Sequence, residues 1–139
     1  NQIGDIEKSD IILLGVSRTS KTPTSIYLAN RGYKTSNIPL VNENSIPDKI
    51  LKKNFSPCIV GLVTEAERLY DIRKNRLTSI KEDKNTEYTN IDEIRYELEN
   101  SKKIFKNNRW PTIDVTRKSV EETAASVIKI YEIKNKKNG

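Results

Sequence analysis

Short apolar runs alternate along the chain with longer segments in which apolar residues recur every three or four positions. Residues 11–14 and 58–63 are apolar throughout, which predicts central parallel strands that helices cover on both faces. Residues 36–41 and 111–116 predict two further strands. Pro39 places the first of these two at a sheet edge or at the end of its strand, because proline cannot donate a hydrogen bond to the ladder.

Four segments predict helices, and each has a recognisable start or end. The first covers residues 24–30 and is followed by Gly32, a residue type that often ends helices. The second and the fourth begin at the capping boxes 64–67 and 119–122, and the third covers residues 90–107. Strands that alternate with helices of these lengths predict an α/β fold with a parallel sheet and right-handed crossovers.

Polar segments divide the chain. Residues 1–9 predict a linker or a lead-in strand, residues 10–134 the folded domain, and residues 135–139 a basic, solvated tail. Residues 78–89 are rich in Lys, Asn, Asp and Thr and predict a mobile loop. The length of 139 residues suits a single domain with its own core.

Composition narrows the chemistry that this chain can perform. It contains no histidine and one cysteine, Cys58, which lies in an apolar run. Ser-His-Asp triads, Cys-His pairs, histidine metal sites and an intrachain disulfide are therefore excluded for this sequence. The net charge of +6 favours anionic partners such as nucleotides. Apolar runs stay far below the roughly 20 residues that span a bilayer, and the start has no signal-peptide character, so we expect a soluble, cytoplasmic protein without membrane contact.

The segment between the first strand and the first helix has the clearest chemical pattern. Residues 15–22, here called loop 15–22, nearly match GxxxxGK[ST], with Ser20 in the place of the second glycine. In such loops backbone N–H groups surround phosphate oxygens, and the next helix adds its positive end. Lys21 can reach the outer phosphates and Thr22 can bind magnesium. The alternative is an ordinary strand-to-helix turn, but the flanking strand and helix favour a nucleotide site formed by Gly15, Val16, Ser17, Arg18, Thr19, Ser20, Lys21 and Thr22.

These features together predict a P-loop NTPase-like parallel sheet flanked by helices. In such sheets the ligand lies at the carboxyl ends of the strands. Asp114 ends one predicted strand, where its carboxylate could hold Mg²⁺ or accept a proton, or could instead cap the turn that follows. Arg18, inside loop 15–22, could contact the nucleotide or the transferred group. The candidate catalytic residues are therefore Lys21, Arg18 and Asp114, and the candidate metal ligands are Thr22 and Asp114.

Four other charged residues are weaker candidates. Arg73 and Arg76, beside the predicted mobile loop, are similar in placement to the lid arginines of small kinases, although helix-surface positions explain them as well. Arg117 could contact a base or a phosphate. Glu65 fits the first turn of a helix, where a carboxylate complements the helix dipole.

Several stretches resemble a known family over nearly the whole chain. They resemble the regulatory proteins of pyruvate, phosphate dikinase and of phosphoenolpyruvate synthase. The matching stretches are residues 15–30, 32–34, 37–41, 60–64, 67–69, 72–73 and 110–124. Runs of this length are far more specific than loop 15–22 alone.

The resemblance implies a bifunctional serine/threonine kinase and phosphorylase. Such an enzyme uses ADP to phosphorylate a threonine on the dikinase or synthase whose catalytic histidine already carries phosphate, which inactivates the target. It removes the mark with inorganic phosphate and releases pyrophosphate. Loop 15–22 corresponds to the ADP site, and Mg²⁺ is expected with the nucleotide. Family members are longer, so the resemblance identifies this chain with a C-terminal, nucleotide-binding half, and a homodimer could form through the N-terminal domain.

Two other functions remain open from the residues. A P-loop kinase of a small metabolite would share the loop, the arginines and the fold. A basic module that binds nucleic acid or a protein without catalysis would need no Lys21. The chain lacks aromatic residues interleaved on a basic face, which disfavours nucleic acid as a partner.

Overall fold

The strands and helices follow one another in the order that the apolar pattern predicts. The computed structural model describes residues 3–41, 45–52, 55–79 and 90–138. The strands are β1 (Ile11–Gly15), β2 (Thr35–Pro39), β3 (Cys58–Val63) and β4 (Thr112–Asp114). The α-helices are α1 (Lys21–Asn30), α2 (Ala66–Ser79), α3 (Ile91–Asn107) and α4 (Val120–Asn138), and short 3₁₀ helices cover Ile3–Lys8 and Asp48–Leu51.

The described strands form one parallel sheet in the order β2-β1-β3-β4. The two fully buried strands, β1 and β3, lie in the centre, and the strand that contains Pro39 lies at an edge, as predicted. All carboxyl ends therefore point to the same side, where the segment after β1 lies beside the segments after β3 and β2. The predicted α/β fold of the P-loop-like class is confirmed.

Alternate residues of the central strands face two separate apolar layers. Ile12 and Leu14 of β1 pack with the side chains of α2 and α3, including Leu69, Leu98 and Phe105. The alternating residues of β1 and β3 face α1 and α4 instead, in a cluster formed by Ile11, Leu13, Leu28, Cys58, Val60, Leu62, Ile113, Val115, Ala124 and Val127. This two-sided cover is the reason that the central strands have no polar face.

Two of the three predicted N-terminal caps form, at Asn90 and Ser119, and the third does not, although its helix begins where predicted. Asn90 Oδ1 accepts hydrogen bonds from the N–H groups of Asp92 and Glu93. At the start of α4, Ser119 Oγ accepts from the Glu122 N–H, and the Ser119 N–H donates to the Glu122 carboxylate.

The predicted capping box at 64–67 does not form. The Thr64 hydroxyl lies 3.1 Å from the Thr116 hydroxyl, and Glu67 forms an ion pair with Arg95. Helix α2 begins at Ala66. The side chain of Thr64 is buried beside the segment after β4, and this tertiary contact replaces the local cap.

The first helix is longer than the sequence predicts. It begins at Lys21, three residues before the predicted start at Thr24, so that Lys21 and Thr22 lie in its first turn. It ends where expected, because Gly32 has the positive φ of 95° that suits glycine after a helix.

The two ends of the chain have more helix than the sequence predicts. The lead-in segment contains a 3₁₀ helix, Ile3–Lys8, with Ile6 buried against the core, rather than a strand. Helix α4 continues to Asn138 through most of the predicted tail. Most of the predicted mobile loop, residues 80–89, lies outside the described residues, and residues 78 and 79 belong to α2. Among the described residues, no helix is long and apolar enough to cross a membrane.

Candidate functional site

Loop 15–22 closes on itself through the carbonyl oxygen of Val16. Lys21 Nζ donates to this oxygen over 2.7 Å, and the Thr19 hydroxyl donates to it over 2.8 Å. A Cβ atom on Gly15 would lie 2.6 Å from the Thr19 hydroxyl oxygen and 3.0 Å from the Leu62 carbonyl oxygen. Glycine is therefore required at position 15, because the loop folds back tightly over the end of β1.

Two residues of the loop have left-handed backbone conformations. Arg18 has φ 68° and Ser20 has φ 66°. Residues with a Cβ atom rarely adopt this left-handed backbone conformation, whereas glycine adopts it at little cost. Ser20 occupies the position at which the motif has its second glycine, so the structure explains why the motif prefers glycine there.

The loop presents a row of backbone donors. Within the part of the chain that the structure describes, the N–H groups of residues 18–22 donate no hydrogen bond. They lie just before α1 and in its first turn, where the helix dipole adds positive potential. Consecutive unpaired N–H groups at a helix start are the arrangement that binds phosphate.

Lys21 is a buried cation beside these donors. Its side chain is 9% exposed, and removal from water lowers the pKa of Lys21 from 10.5 to about 8, with further lowering by the charges of Arg73 and Arg18. Three cations thus lie close together at one end of the sheet. Such a cluster favours a multiply charged anion, because an anion would offset both the repulsion and the loss of hydration.

Arg73 does not lie on the helix surface, so that prediction is wrong, and it is not among the residues that line the cleft over loop 15–22. Its side chain is 1% exposed and forms a two-point ion pair with Glu97 of α3, at 2.9 Å to Oε1 and 3.2 Å to Oε2. Arg73 Nη2 also donates to the Ser17 carbonyl oxygen over 3.3 Å. The helix surface hypothesis failed because α3 covers this face of α2. The side chain of Arg76 lies outside the described residues.

A cleft of about 530 Å³ opens over loop 15–22. Its volume lies in the range of small-molecule sites. Polar and cationic groups of the loop form one wall, and Pro39 of β2 and Ile72 of α2 complete it. The residues that line it are Ser17, Arg18, Ser20, Lys21, Thr22, Pro23, Pro39 and Ile72.

Asp114 lies at the carboxyl end of β4, on the same side of the sheet as loop 15–22 and two strands away from β1. Its carboxylate accepts hydrogen bonds from the N–H and from the hydroxyl of Thr116. Desolvation acts to raise the pKa of Asp114, but these two bonds and the charges of Lys102 and Lys118 outweigh it and hold the pKa below its usual value. Asp114 therefore stays ionised at neutral pH, and it also stabilises the turn before α4.

The Thr116 hydroxyl connects the segments after β3 and β4. It accepts a hydrogen bond from the Glu65 N–H over 2.9 Å and lies 3.1 Å from the Thr64 hydroxyl. Glu65 itself is exposed at the start of α2, and Arg117 is exposed after β4. Neither side chain lines the cleft over loop 15–22.

The fit of Mg²⁺ depends on the oxygen donors at this edge. Among the described residues there is no group of three or more Asp, Glu, Cys or His side chains that could hold a metal ion. Mg²⁺ does not require such a cage, since it usually takes one or two protein oxygens and completes its shell with phosphates and water. The Thr22 hydroxyl lies in the cleft and is an oxygen ligand of the type that fits a nucleotide-bound ion. The ionised Asp114 carboxylate is also of a suitable type, but it lies two strands from β1 and does not line the cleft.

The structure brings together most of the predicted residues. Loop 15–22 forms a single cation-lined wall, whereas Asp114 stands apart on β4. Sequence reasoning did not single out Glu97. The signal was its position three residues after the buried Ile94 and one before the buried Leu98, at the border of the apolar face.

A second cavity, of about 560 Å³, lies on the opposite side of the sheet, at the amino ends of the strands. It lies near the starts of β3 and β4 and is mainly apolar. Its walls include Ile50, Phe55, Pro57, Cys58, Trp110, Ile130 and Ile133. It is separate from loop 15–22, and it contains none of the predicted site residues.

Comparison with known proteins gives a consistent result. Residues 1–128 match the family model described as Kinase/pyrophosphorylase. The chain is 67% identical over all of its 139 residues to the "Putative pyruvate, phosphate dikinase regulatory protein" of Pelagibacter ubique (strain HTCC1062), of which it covers 50%. Proteins of the same name are 54% identical in Erythrobacter litoralis (strain HTCC2594), over 90% of this chain and 45% of the relative, and 52% identical in Sphingopyxis alaskensis (strain DSM 13593 / LMG 18877 / RB2256), over 91% and 46%. The chain spans about half the length of these curated relatives.

Proposed function

Because the chain belongs to the kinase/pyrophosphorylase family, we propose that it uses ADP to phosphorylate a threonine of pyruvate, phosphate dikinase. In a second reaction, inorganic phosphate removes the phosphoryl group from that threonine. The choice of the dikinase over phosphoenolpyruvate synthase rests on the names of the relatives. This chain supplies the nucleotide site.

The observation that carries the proposal is the buried Lys21 ammonium at the start of α1. Two arginine charges and the loss of water both oppose its charge, and its carbonyl partner on Val16 is neutral. The β-phosphate of ADP would provide the missing negative charge. The unpaired N–H groups of residues 18–22 would hold the same phosphate oxygens by charge-assisted hydrogen bonds.

In the forward reaction the bond between the β-phosphorus of ADP and its bridging oxygen breaks, and a new bond forms to the threonine oxygen. The products are AMP and phosphothreonine, and the hydroxyl proton leaves to a base or to water. In the separate removal reaction an oxygen of inorganic phosphate attacks the phosphothreonine phosphorus and the bond from that phosphorus to the threonine oxygen breaks, which yields threonine and pyrophosphate. Lys21, Arg18 and the loop N–H groups stabilise the charge on the moving phosphoryl group in both reactions.

Asp114 and Thr22 have the remaining roles in this proposal. Thr22 would bind Mg²⁺ together with the nucleotide phosphates, and the ion would neutralise charge on the phosphates. Asp114, ionised at neutral pH, would hold the ion through water or accept the threonine proton. Its place at the carboxyl edge of β4 suits either role.

The partner supplies the chemistry that this chain lacks. The sequence contains no histidine, so a phosphohistidine involved in target recognition belongs to the dikinase.

The free, buried Cys58 fits a reducing compartment. We therefore place the reaction in the cytoplasm.

Calorimetry with ADP, ATP and AMP tests the nucleotide site. We expect ADP to bind and Lys21→Ala to weaken binding by about 1.5 to 3 kcal/mol, the contribution of a hydrogen bond to a charged group. Lys129→Ala removes an exposed lysine of α4 and is the matched control, since it changes net charge equally. Equal ADP affinity in Lys21→Ala and Lys129→Ala would contradict the assignment of loop 15–22.

Mass spectrometry of the target tests the reaction. The complete protein is incubated with phosphorylated dikinase and either ADP or ATP. We expect one new phosphothreonine with ADP and its loss, with pyrophosphate release, when inorganic phosphate replaces the nucleotide. Modification with ATP alone, or turnover of a small-molecule acceptor instead of the protein, would overturn the proposal.

A further inference from the structure

Arg73 contacts loop 15–22 from inside the protein. Its guanidinium donates to the Ser17 carbonyl oxygen over 3.3 Å, while both oxygens of Glu97 hold the same guanidinium. Arg73 does not line the cleft, and it has the largest of the fully buried side chains that the structure describes. The contact therefore reaches the loop without reaching a ligand in the cleft.

This contact fixes the direction of one peptide group. A trans peptide is planar, and its C=O and N–H point in opposite directions. The Ser17 carbonyl points towards the Arg73 guanidinium, so the N–H of Arg18, in the same peptide group, points away from it. Among the bonds between described residues, the Arg18 N–H is the first donor of the loop that has no acceptor.

The preceding peptide is fixed in the same way by a different cation. Lys21 Nζ and the Thr19 hydroxyl both donate to the Val16 carbonyl oxygen. Two successive loop carbonyls are therefore held by Lys21 and Arg73. Peptide groups at Ser17 and Arg18 can rotate in a short loop, and each rotation would exchange a donor for an acceptor at the phosphate position.

The ion pair with Glu97 gives Arg73 a fixed position. A planar guanidinium that forms two parallel bonds to a carboxylate has little rotational freedom. Glu97 belongs to α3 and Arg73 to α2, so the packing of these two helices determines where the guanidinium meets the loop. Lysine could keep the charge, but it could not bond both carboxylate oxygens and the Ser17 carbonyl in this geometry.

We infer that Arg73 is a positioning residue: it holds the Ser17 peptide group in the orientation in which the N–H groups of the loop point towards a bound phosphate. Glu97 in turn holds the Arg73 guanidinium in place. The inference rests on the proposed nucleotide site. It assigns Arg73 no contact with the nucleotide. It predicts that Arg73 controls the discrimination between ADP and AMP, which differ in the outer phosphate, more than the affinity for the nucleoside part.

The test compares four variants of the complete protein. Arg73→Lys and Glu97→Gln alter the anchor while retaining polar side chains. Arg95→Gln removes a different ion pair between α2 and α3, with Glu67, which is exposed and lies away from the loop. Leu98→Ala removes a buried apolar side chain from the core between α2 and α3 and should lower stability without changing an ion pair. Thermal unfolding and circular dichroism verify that each variant is folded.

The first measurement is the ratio of the ADP and AMP dissociation constants. We expect Arg73→Lys and Glu97→Gln to reduce the preference for ADP by roughly tenfold, the lower effect of losing a hydrogen bond to a charged group. Arg95→Gln and Leu98→Ala should keep the wild-type ratio. If Arg73 had a purely structural role, Arg73→Lys and Glu97→Gln would lower stability and leave the ratio unchanged, which would overturn the inference.

The second measurement requires no nucleotide. The carbonyl ¹³C resonance of Ser17 reports its hydrogen bond, and we expect it to shift in Arg73→Lys and to stay in place in Arg95→Gln. A wild-type protein that does not prefer ADP over AMP would refute the proposed function, and the Ser17 resonance would then still decide whether Arg73 holds the loop. An unchanged Ser17 resonance in Arg73→Lys would refute the positioning role by itself.

Discussion

Lys21 Nζ lies 2.7 Å from the carbonyl oxygen of Val16, so the backbone of loop 15–22 holds its own cation in place. The ammonium is thereby positioned before any phosphate arrives, and it is withdrawn from water. Positioning and desolvation have opposite consequences. The first favours phosphate binding by reducing the rearrangement that binding needs, and the second makes the charge sensitive to pH near neutrality.

ADP affinity should fall as the pH rises above about 8. In the free protein Lys21 loses its proton near this pH, because burial and two arginine charges lower its pKa from 10.5 to about 8. A bound diphosphate favours the charged lysine and raises that pKa again. ADP binding then takes up a proton above pH 8, and linkage predicts up to about a tenfold weaker affinity per pH unit.

Calorimetry between pH 7 and 9.5 measures this effect. In that range the second ionisation of phosphate, with a pKa of about 6, is nearly complete and contributes little. Lys21→Met should bind ADP more weakly and without the added pH dependence. A wild-type profile that stays flat to pH 9.5 would contradict the role of the buried ammonium.

Ser20→Gly should stabilise the fold. Ser20 has φ 66°, a conformation that costs an ordinary residue about 1–2 kcal/mol, whereas glycine adopts it freely and loses part of that gain through its greater freedom when unfolded. We expect the free energy of unfolding to rise by about 0.5 to 1 kcal/mol in urea denaturation. Ser126→Gly, inside α4, should lower it by about 0.5 kcal/mol. A similar loss in both variants would be inconsistent with strain at Ser20.

Gly61→Ala should destabilise the centre of the sheet. A Cβ atom on Gly61 would lie 2.5 Å from Cδ2 of Phe105, and the aromatic ring is fully buried. Overpacking of this kind costs about 1–3 kcal/mol. The double variant Gly61→Ala/Phe105→Leu should lose at least about 0.5 kcal/mol less than the sum of the two single changes. Strict additivity in urea denaturation would argue against a clash between these two residues.

Asp114→Asn separates a role in chemistry from a role in folding. If Asp114 assists proton transfer, the rate of threonine phosphorylation should fall by roughly 10²- to 10⁴-fold, while the ADP dissociation constant stays within about twofold of wild type. Single-turnover kinetics with phosphorylated dikinase measure the rate. Glu121→Gln removes an exposed carboxylate in the first turn of α4 and should leave it unchanged. A normal rate in Asp114→Asn would limit Asp114 to its turn with Thr116.

The same carboxylate has a predictable effect on acid stability. Its folded-state pKa lies below the usual value, so its contribution to stability is present above the unfolded-state pKa and is lost as the pH falls through the folded-state pKa. Asp114→Asn should therefore make unfolding less sensitive to pH below about 4.

The sequence by itself determined the order of strands and helices and the position of the candidate phosphate loop. Both are local properties, because apolar periodicity and the spacing of Gly15, Lys21 and Thr22 are written in short stretches of chain. It also identified the edge strand through Pro39. The local caps at Asn90 and Ser119 followed from sequence for the same reason.

Only the tertiary structure decided what surrounds the loop. Arg73 and Glu97 are 24 residues apart, and Arg73 and Ser17 are 56 residues apart, so no local pattern relates them. Because α2 packs on α3, Arg73, which was expected at the surface, is buried and contacts the loop. The contact between Thr64 and Thr116, 52 residues apart, likewise replaced a local cap. Burial and neighbouring charge set the pKa of Lys21, and both depend on which distant side chains the fold brings together.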